Sequence, residues 1–123
     1  MSVPRLFRVA VQVTGIDAAV AAYRLLLGVE PERVGDGRYY FRCGATILAC
    51  VDLAEEGHGE PRPNAGDAYF AVDDLDAYFD RAKQVGCEVL DGPRDRPWGE
   101  RSFYVRDPFG NPLCFVDERT VYG

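Results

Sequence analysis

The chain has 123 residues, 47% hydrophobic and 28% charged, which gives one domain with a core of its own and excludes a disordered, fibrous or disulfide-scaffold protein. Fourteen basic against twenty acidic residues leave a net charge of −6, which argues against a nucleic-acid surface and is compatible with a cationic ligand as well as with plain solubility. No apolar run reaches membrane-spanning length, and Arg5 and Arg8 interrupt the N-terminus before a signal-peptide core can form, so a cytoplasmic protein without a membrane partner is expected.

In chain order, Leu6–Val13 alternates as a strand, with Phe7, Val9, Val11 and Val13 on one side and Arg8, Ala10 and Gln12 on the other. Thr14 with Asp17 resembles a capping box, Gly28 is a natural helix stop, and Ile16, Val20, Tyr23 and Leu27 form one apolar stripe between them. Glu32–Val34, Tyr39–Cys43 and Thr46–Val51 read as three strands, punctuated by Gly35-Asp36-Gly37 and Gly44. The connector that follows is polar and carries the sole histidine, His58, in Glu-Glu-Gly-His-Gly-Glu. A solvated loop histidine is the expected reading; a base or ligand role requires the loop to fold over a site.

The pattern then returns. Asp67–Val72 is a strand, with Ala68, Phe70 and Val72 opposite Asp67, Tyr69 and Ala71. Asp73 and Asp76 open a helix with the stripe Leu75, Phe79, Ala82 and Val85, stopped at Gly86. Cys87–Leu90 reads as a short strand and Asp91–Gly99 as a proline-containing loop. Arg101–Asp117 is a hairpin around Asp107-Pro108-Phe109-Gly110, where Pro108 presets φ and Gly110 supplies the positive φ that closes the turn. Aligning Val72 with Val13 places Asp73 on Thr14, Leu75 on Ile16, Asp76 on Asp17 and Phe79 on Val20. The fold class is therefore α+β: two tandem βαβββ units (5–53 and 66–118, joined by a connector at 54–65) in one domain at 1–123. Neither half buries both its helix stripe and its sheet alone.

Cys43, Cys50, Cys87 and Cys114 have no Cys-x-x-Cys spacing and no histidine companions, so reduced, core-like thiols are expected rather than zinc ligands, with a Cys43–Cys50 disulfide the weaker alternative. Because the helix stripes need apolar partners, the valines and phenylalanines of the first and fifth strands face the helices. The opposite face then carries Arg8, Ala10 and Gln12, with Asp67, Tyr69 and Ala71 as their duplicates; by the same alternation Ala49 and Cys114 turn away from the helices.

Arg106-Asp107-Pro108-Phe109-Gly110-Asn111-Pro112-Leu113, together with the duplication, resembles the vicinal oxygen chelate superfamily: glyoxalase I, extradiol dioxygenases, fosfomycin-resistance enzymes and bleomycin-resistance proteins. The resemblance covers nearly the whole chain and implies curved mixed sheets around a cleft, helices outside, and commonly a homodimer. Metal-using members carry a histidine or glutamine early in the first and fifth strands and a glutamate in the fourth and eighth. Carried over residue by residue, those positions are Arg8, Asp67, Ala49 and Cys114. Arginine repels a dication and alanine donates nothing, so neither metal nor cofactor is expected.

The implied site is a ligand-binding cleft lined by Arg8, Gln12, Ala49, Asp67, Tyr69, Trp98, Tyr104 and Cys114, with no catalytic residue assigned. Arg8 and Asp67 either pair or stand separately in water. Trp98, in Arg96-Pro97-Trp98-Gly99, either covers the cleft mouth or packs at a dimer interface. The nearest named activity is metal-free sequestration of a cationic aromatic compound of the bleomycin-resistance kind, with aromatic stacking and cation–π contacts worth roughly 0.5–2 kcal/mol each. The alternatives are a metal-dependent lyase, transferase or dioxygenase, a metal-free enzyme with Asp67 as base, and an accessory subunit whose cleft serves as an interface.

Overall fold

The periodicities resolve into β1 (Arg8–Gln12), α1 (Ile16–Leu27), β2 (Glu32–Gly35), β3 (Arg38–Cys43), β4 (Thr46–Val51), β5 (Ala68–Val72), α2 (Leu75–Gln84), β6 (Glu88–Asp95), β7 (Arg101–Arg106) and β8 (Pro112–Asp117). The structure is a computed structural model describing residues 2–122. The strands form two four-stranded mixed sheets, ordered β1-β4-β3-β2 and β5-β8-β7-β6. Each sheet is thus one βαβββ unit with the same topology, as the duplication predicts. The chain divides into two compact units: residues up to Arg24 with Gly28–Arg62, and Leu25–Leu27 with residues from Pro63 onward.

In the first unit β1 runs parallel to β4 while β3 is antiparallel to both β4 and β2. A parallel pair needs a long connection, and α1, β2 and β3 provide it. The register sets Val9, Leu48 and Phe41 in one row and Val11, Cys50 and Tyr39 in another. Tyr23 of α1 meets Phe41 with ring centroids 6.0 Å apart, which identifies the helix-facing side. The second unit repeats this with β5 parallel to β8 and β7 antiparallel to β8 and β6. Phe70, Phe115 and Phe103 form a row of near-parallel rings at 5.0 Å spacing. Tyr78 and Phe79 of α2 pack on that row at 5.8 and 5.1 Å. These contacts bury large apolar surfaces and add roughly 1 kcal/mol per aromatic pair.

Two expectations are corrected. The Thr14–Asp17 capping box does not form: α1 starts after Gly15, which takes φ +71° and offers no side-chain cap. The Gly15 N–H instead donates to Asp52 Oδ2 at 3.2 Å, so the cap comes from a distant carboxylate. The second helix is capped by Asp74, whose carboxylate accepts from the Ala77 N–H at 3.1 Å.

The other correction concerns Asp91–Gly99. Most of that loop is strand, because β6 continues to Asp95 through Pro93 with two register shifts against β7. It is an edge strand, where a proline without an N–H and local bulges are tolerated. The hairpins on either side of β7 share one turn design. Gly99 N–H donates to Arg96 O at 2.9 Å and Gly110 N–H to Asp107 O at 3.0 Å, each closing an X-Pro-aromatic-Gly turn with glycine φ of +97° and +91°.

Candidate functional site

On the face of the first sheet away from α1, the register aligns Arg8, Ile47 and Arg42, then Ala10, Ala49 and Tyr40, then Gln12, Val51 and Arg38. Tyr40 is the hub. Its hydroxyl accepts from Arg8 Nη1 at 2.9 Å and from Arg38 Nη1 at 3.2 Å. Arg8 also lies over the rings of Phe7 and Tyr40 at 5.0 and 5.1 Å. Arg38 grips Glu56 through both Nε and Nη2, at 3.0 and 3.2 Å. That two-pronged bond raises the Arg38 pKa and lowers that of Glu56. Arg42 pairs with Glu32 at 2.9 Å. Gln12 Oε1 accepts the Arg62 N–H, and Ala49 is fully buried.

The equivalent face of the second sheet carries the row Tyr69, Cys114, Tyr104 and Asp91, with Ser102 two residues along β7 from Tyr104. Its centre is Arg96, buried at the end of β6. Arg96 Nε donates to Ser102 Oγ at 3.0 Å, Nη2 to Ser102 O at 2.8 Å and to Gly92 O at 3.3 Å, and Nη1 to Asp91 Oδ2 at 2.6 Å. The guanidinium stacks over the Tyr104 ring at 4.9 Å. Burial, with smaller contributions from Cys114, pushes the Tyr104 phenol up to about 12. Burial also raises the Cys114 thiol, and the nearby Asp67 carboxylate adds to that rise against hydrogen bonds with Tyr104 and Ser102.

Tyr69 is 64% exposed and Trp98 55% exposed. Trp98 sits at the tip of the β6–β7 turn, with its indole N–H donating to Glu100 Oε1 at 3.0 Å. His58 is exposed in the turn after β4, its backbone N–H bonded to Leu53 O at 2.7 Å. Arg8 and Asp67 belong to different units, and Arg8 finds its neutral partner, Tyr40, within its own. Tyr69, Tyr104 and Cys114 do come together on one sheet face, with Asp67 close to Cys114. The Asp-Pro-Phe-Gly-Asn turn is structural: Asp107 Oδ1 accepts from the Phe109 and Asn111 N–H groups at 2.9 and 2.8 Å, and Asn111 Nδ2 donates to Asp107 Oδ2 at 3.0 Å.

Arg38, Arg96 and Ser102 organise these faces yet are not sequence-level candidates. Arg38 has a readable signal, its alternation with Tyr40 and Arg42 around the helix-facing Phe41. Arg96 has none, because its position depends on β6 continuing past Pro93.

The model of the Glyoxalase/Bleomycin resistance protein/Dioxygenase superfamily matches residues 5–115. The chain belongs to this superfamily. Metallothiol transferase FosB of Shouchella clausii is 30% identical to it over 104 residues, covering 82% of this chain and 71% of that protein. Among solved structures, a glyoxalase-related enzyme from Fulvimarina pelagi matches with a TM-score of 0.79 at 17% identity, over 94% of this chain and 88% of that one. Lactoylglutathione lyase from Agrobacterium tumefaciens matches at 0.70 and 24% identity, over 96% of each chain. At these identities the two structures speak for the fold alone.

The superfamily's metal donors fit poorly onto these residues. Arg8 brings a permanent cation to the first position, Ala49 has no donor atom, and Cys114 offers only a buried, soft sulfur. Only Asp67 offers a hard oxygen donor. Among the described residues no three His, Cys, Asp or Glu side chains gather into a metal-binding group. No helix of the described residues is long and apolar enough to cross a membrane.

Proposed function

We propose that this superfamily member binds a small organic molecule without a metal, on the sheet face of the first unit that carries Arg8 and Tyr40. The observation that carries this reading is the Arg8 guanidinium, bonded to the Tyr40 hydroxyl at 2.9 Å, at a position where the resemblance implies a metal donor. A dication beside a fixed guanidinium meets like-charge repulsion instead of a lone pair. In place of coordination, the first sheet's face offers directed hydrogen-bond donors from Arg8 and Tyr40, suited to orienting a ligand of modest size. Sequestration of a compound is the activity such a surface supports without further chemistry. A homodimer, as the resemblance implies, is part of the proposal.

The second reading is a metal-dependent transferase, favoured by the 30% identity with metallothiol transferase FosB. Two measurements decide between them. Elemental analysis of the purified protein should find less than one transition-metal ion per chain, and a chelator should leave ligand-induced thermal stabilisation unchanged. One tightly held ion per chain, with ligand stabilisation abolished by chelation, establishes the transferase-type reading instead. Sedimentation should give a species of two chains.

A further inference from the structure

We infer that Arg8 and Tyr40 form a receptor for an oxyanion, so that the ligand carries a carboxylate or phosphate group. This rests on the metal-independent binding reading and adds the chemistry of the ligand. The inference comes from counting donors and charges on the first sheet. The Tyr40 oxygen accepts two N–H bonds, from Arg8 and Arg38. A phenol has two acceptor sites and one donor. With both acceptor sites filled, the remaining capacity of Tyr40 is its O–H, a donor in search of an acceptor.

The neighbouring cations differ in one respect. Arg38 is neutralised by its two-pronged bond to Glu56, and Arg42 by Glu32. Arg8 makes no ion pair among the described residues; its bond to the neutral Tyr40 uses one of its five N–H groups. The rings of Phe7 and Tyr40 hold its guanidinium plane, which limits the side-chain entropy lost when an anion docks. Arg8, with Arg5 beyond it over the Phe7 ring at 5.8 Å, thus leaves positive charge without a carboxylate beside it among the described residues, and the Tyr40 O–H adds a donor, a set suited to planar or tetrahedral oxyanions. The net charge of −6 weakens long-range attraction of an anion but is screened within about 10 Å in salt, whereas the local donors act at contact.

The test titrates the intact, chelator-treated protein with benzoate and with phenyl phosphate, using benzylamine as the probe of opposite charge. Binding is followed calorimetrically in the wild type, Arg8→Gln and Tyr40→Phe. At least one anion should bind saturably. Arg8→Gln should weaken it by about tenfold or more, and Tyr40→Phe by a smaller factor because it removes one donor and releases Arg8. The tighter of the two anions identifies the oxyanion. Arg8 is exposed, so Arg8→Gln should keep the wild-type denaturation midpoint within error, which separates lost binding from lost fold. Unchanged anion affinity in Arg8→Gln, absence of saturable anion binding, or tighter binding of benzylamine each overturns the inference. Benzylamine binding in chelator leaves metal-independent binding standing. Anion binding that appears only after a divalent metal is restored overturns both.

Discussion

Replacing Arg96 by methionine removes the buried guanidinium while keeping much of the aliphatic volume, and it should cost the second unit a large share of its stability. The side chain is 3% exposed. Its loss strands three acceptors, Ser102 Oγ, Ser102 O and Gly92 O, which now receive N–H bonds at 3.0, 2.8 and 3.3 Å. Ser102 is itself buried, so water cannot freely replace those bonds. Leaving a buried acceptor unsatisfied costs about 1–3 kcal/mol. The Gly92 contact is long and contributes little. The two Ser102 acceptors and the lost stacking on Tyr104 together give a loss on the order of 3 kcal/mol. For a chain of this size that corresponds to a fall in Tm of roughly 10 °C. The Asp91 carboxylate is left without its principal partner as well, and that share is best read from pH dependence.

Denaturant unfolding of wild type, Arg96→Met and Arg96→Lys measures the effect. Lysine keeps the charge but not the planar fork, so it should recover only part of the loss. Double substitution with Asp91→Asn separates the ion pair from the Ser102 bonds. The prediction also has a sign in pH. The Asp91 carboxyl is held below its ordinary range, chiefly by the hydrogen bond from Arg96 and then by that from Arg94. Its contribution is therefore present above the ordinary carboxylate pKa and is lost as pH falls through the depressed one. Arg96→Met should flatten that acid limb. A stability loss under about 1 kcal/mol, within the range of ordinary surface changes, refutes the assignment of Arg96 as the organiser of this sheet face.

Gly110→Ala should destabilise by about 2 kcal/mol, combining a positive φ of +91° with a new Cβ 3.1 Å from Pro63 Cγ. Gly99→Ala should cost only about 1 kcal/mol, since its φ is +97° but the space is open; equal costs for the two in urea titrations contradict this. Asn111→Ala should lose about 2 kcal/mol in the same assay, because the fully buried amide bridges Asp107 Oδ2 and the Asn64 N–H at 3.0 and 3.1 Å. With its phenol pushed up to about 12, Tyr104 contributes stability below the ordinary tyrosine pKa of about 10 that is lost as pH rises toward 12. Ultraviolet titration should show this late ionisation disappear in Tyr104→Phe. The raised, buried Cys114 thiol should resist iodoacetamide at pH 8 and react freely in denaturant.

How far the chain can be read without coordinates depends on the distance over which each feature is decided. Strand alternation around Val11 and Phe70, the stripes Val20–Tyr23–Leu27 and Leu75–Ala82, and the glycine stops at Gly28 and Gly86 are local, and they lead directly to two βαβββ units. The start of α1 is not local: the cap comes from Asp52, on the far side of three strands. The extent of β6 is decided by pairing with β7, which carries the strand across Gly92-Pro93 despite the residues' preference for turns. The site divides in the same way. Which face Ala49 and Cys114 occupy follows from alternation, but the meeting of Arg8 with Tyr40 requires the long-range registers β1–β4 and β4–β3.

The two units carry related layouts put to different ends, and the difference lies in where each guanidinium's donors go. In both sheets a tyrosine lies beside the small residue of the central strand, Tyr40 beside Ala49 and Tyr104 beside Cys114. In both, a guanidinium stacks on that tyrosine. Arg96 is enclosed, and four hydrogen bonds to Ser102, Gly92 and Asp91 occupy its donors. An enclosed cation with its charge matched is a structural element, and removing it is felt as lost stability. Arg8 is exposed, bonds a neutral hydroxyl and has no carboxylate partner among the described residues. Its removal should therefore leave stability nearly untouched and appear in ligand affinity instead. Opposite responses to Arg96→Met and Arg8→Gln are the consequence. Equal stability losses in the two variants contradict the division of labour between the sheets.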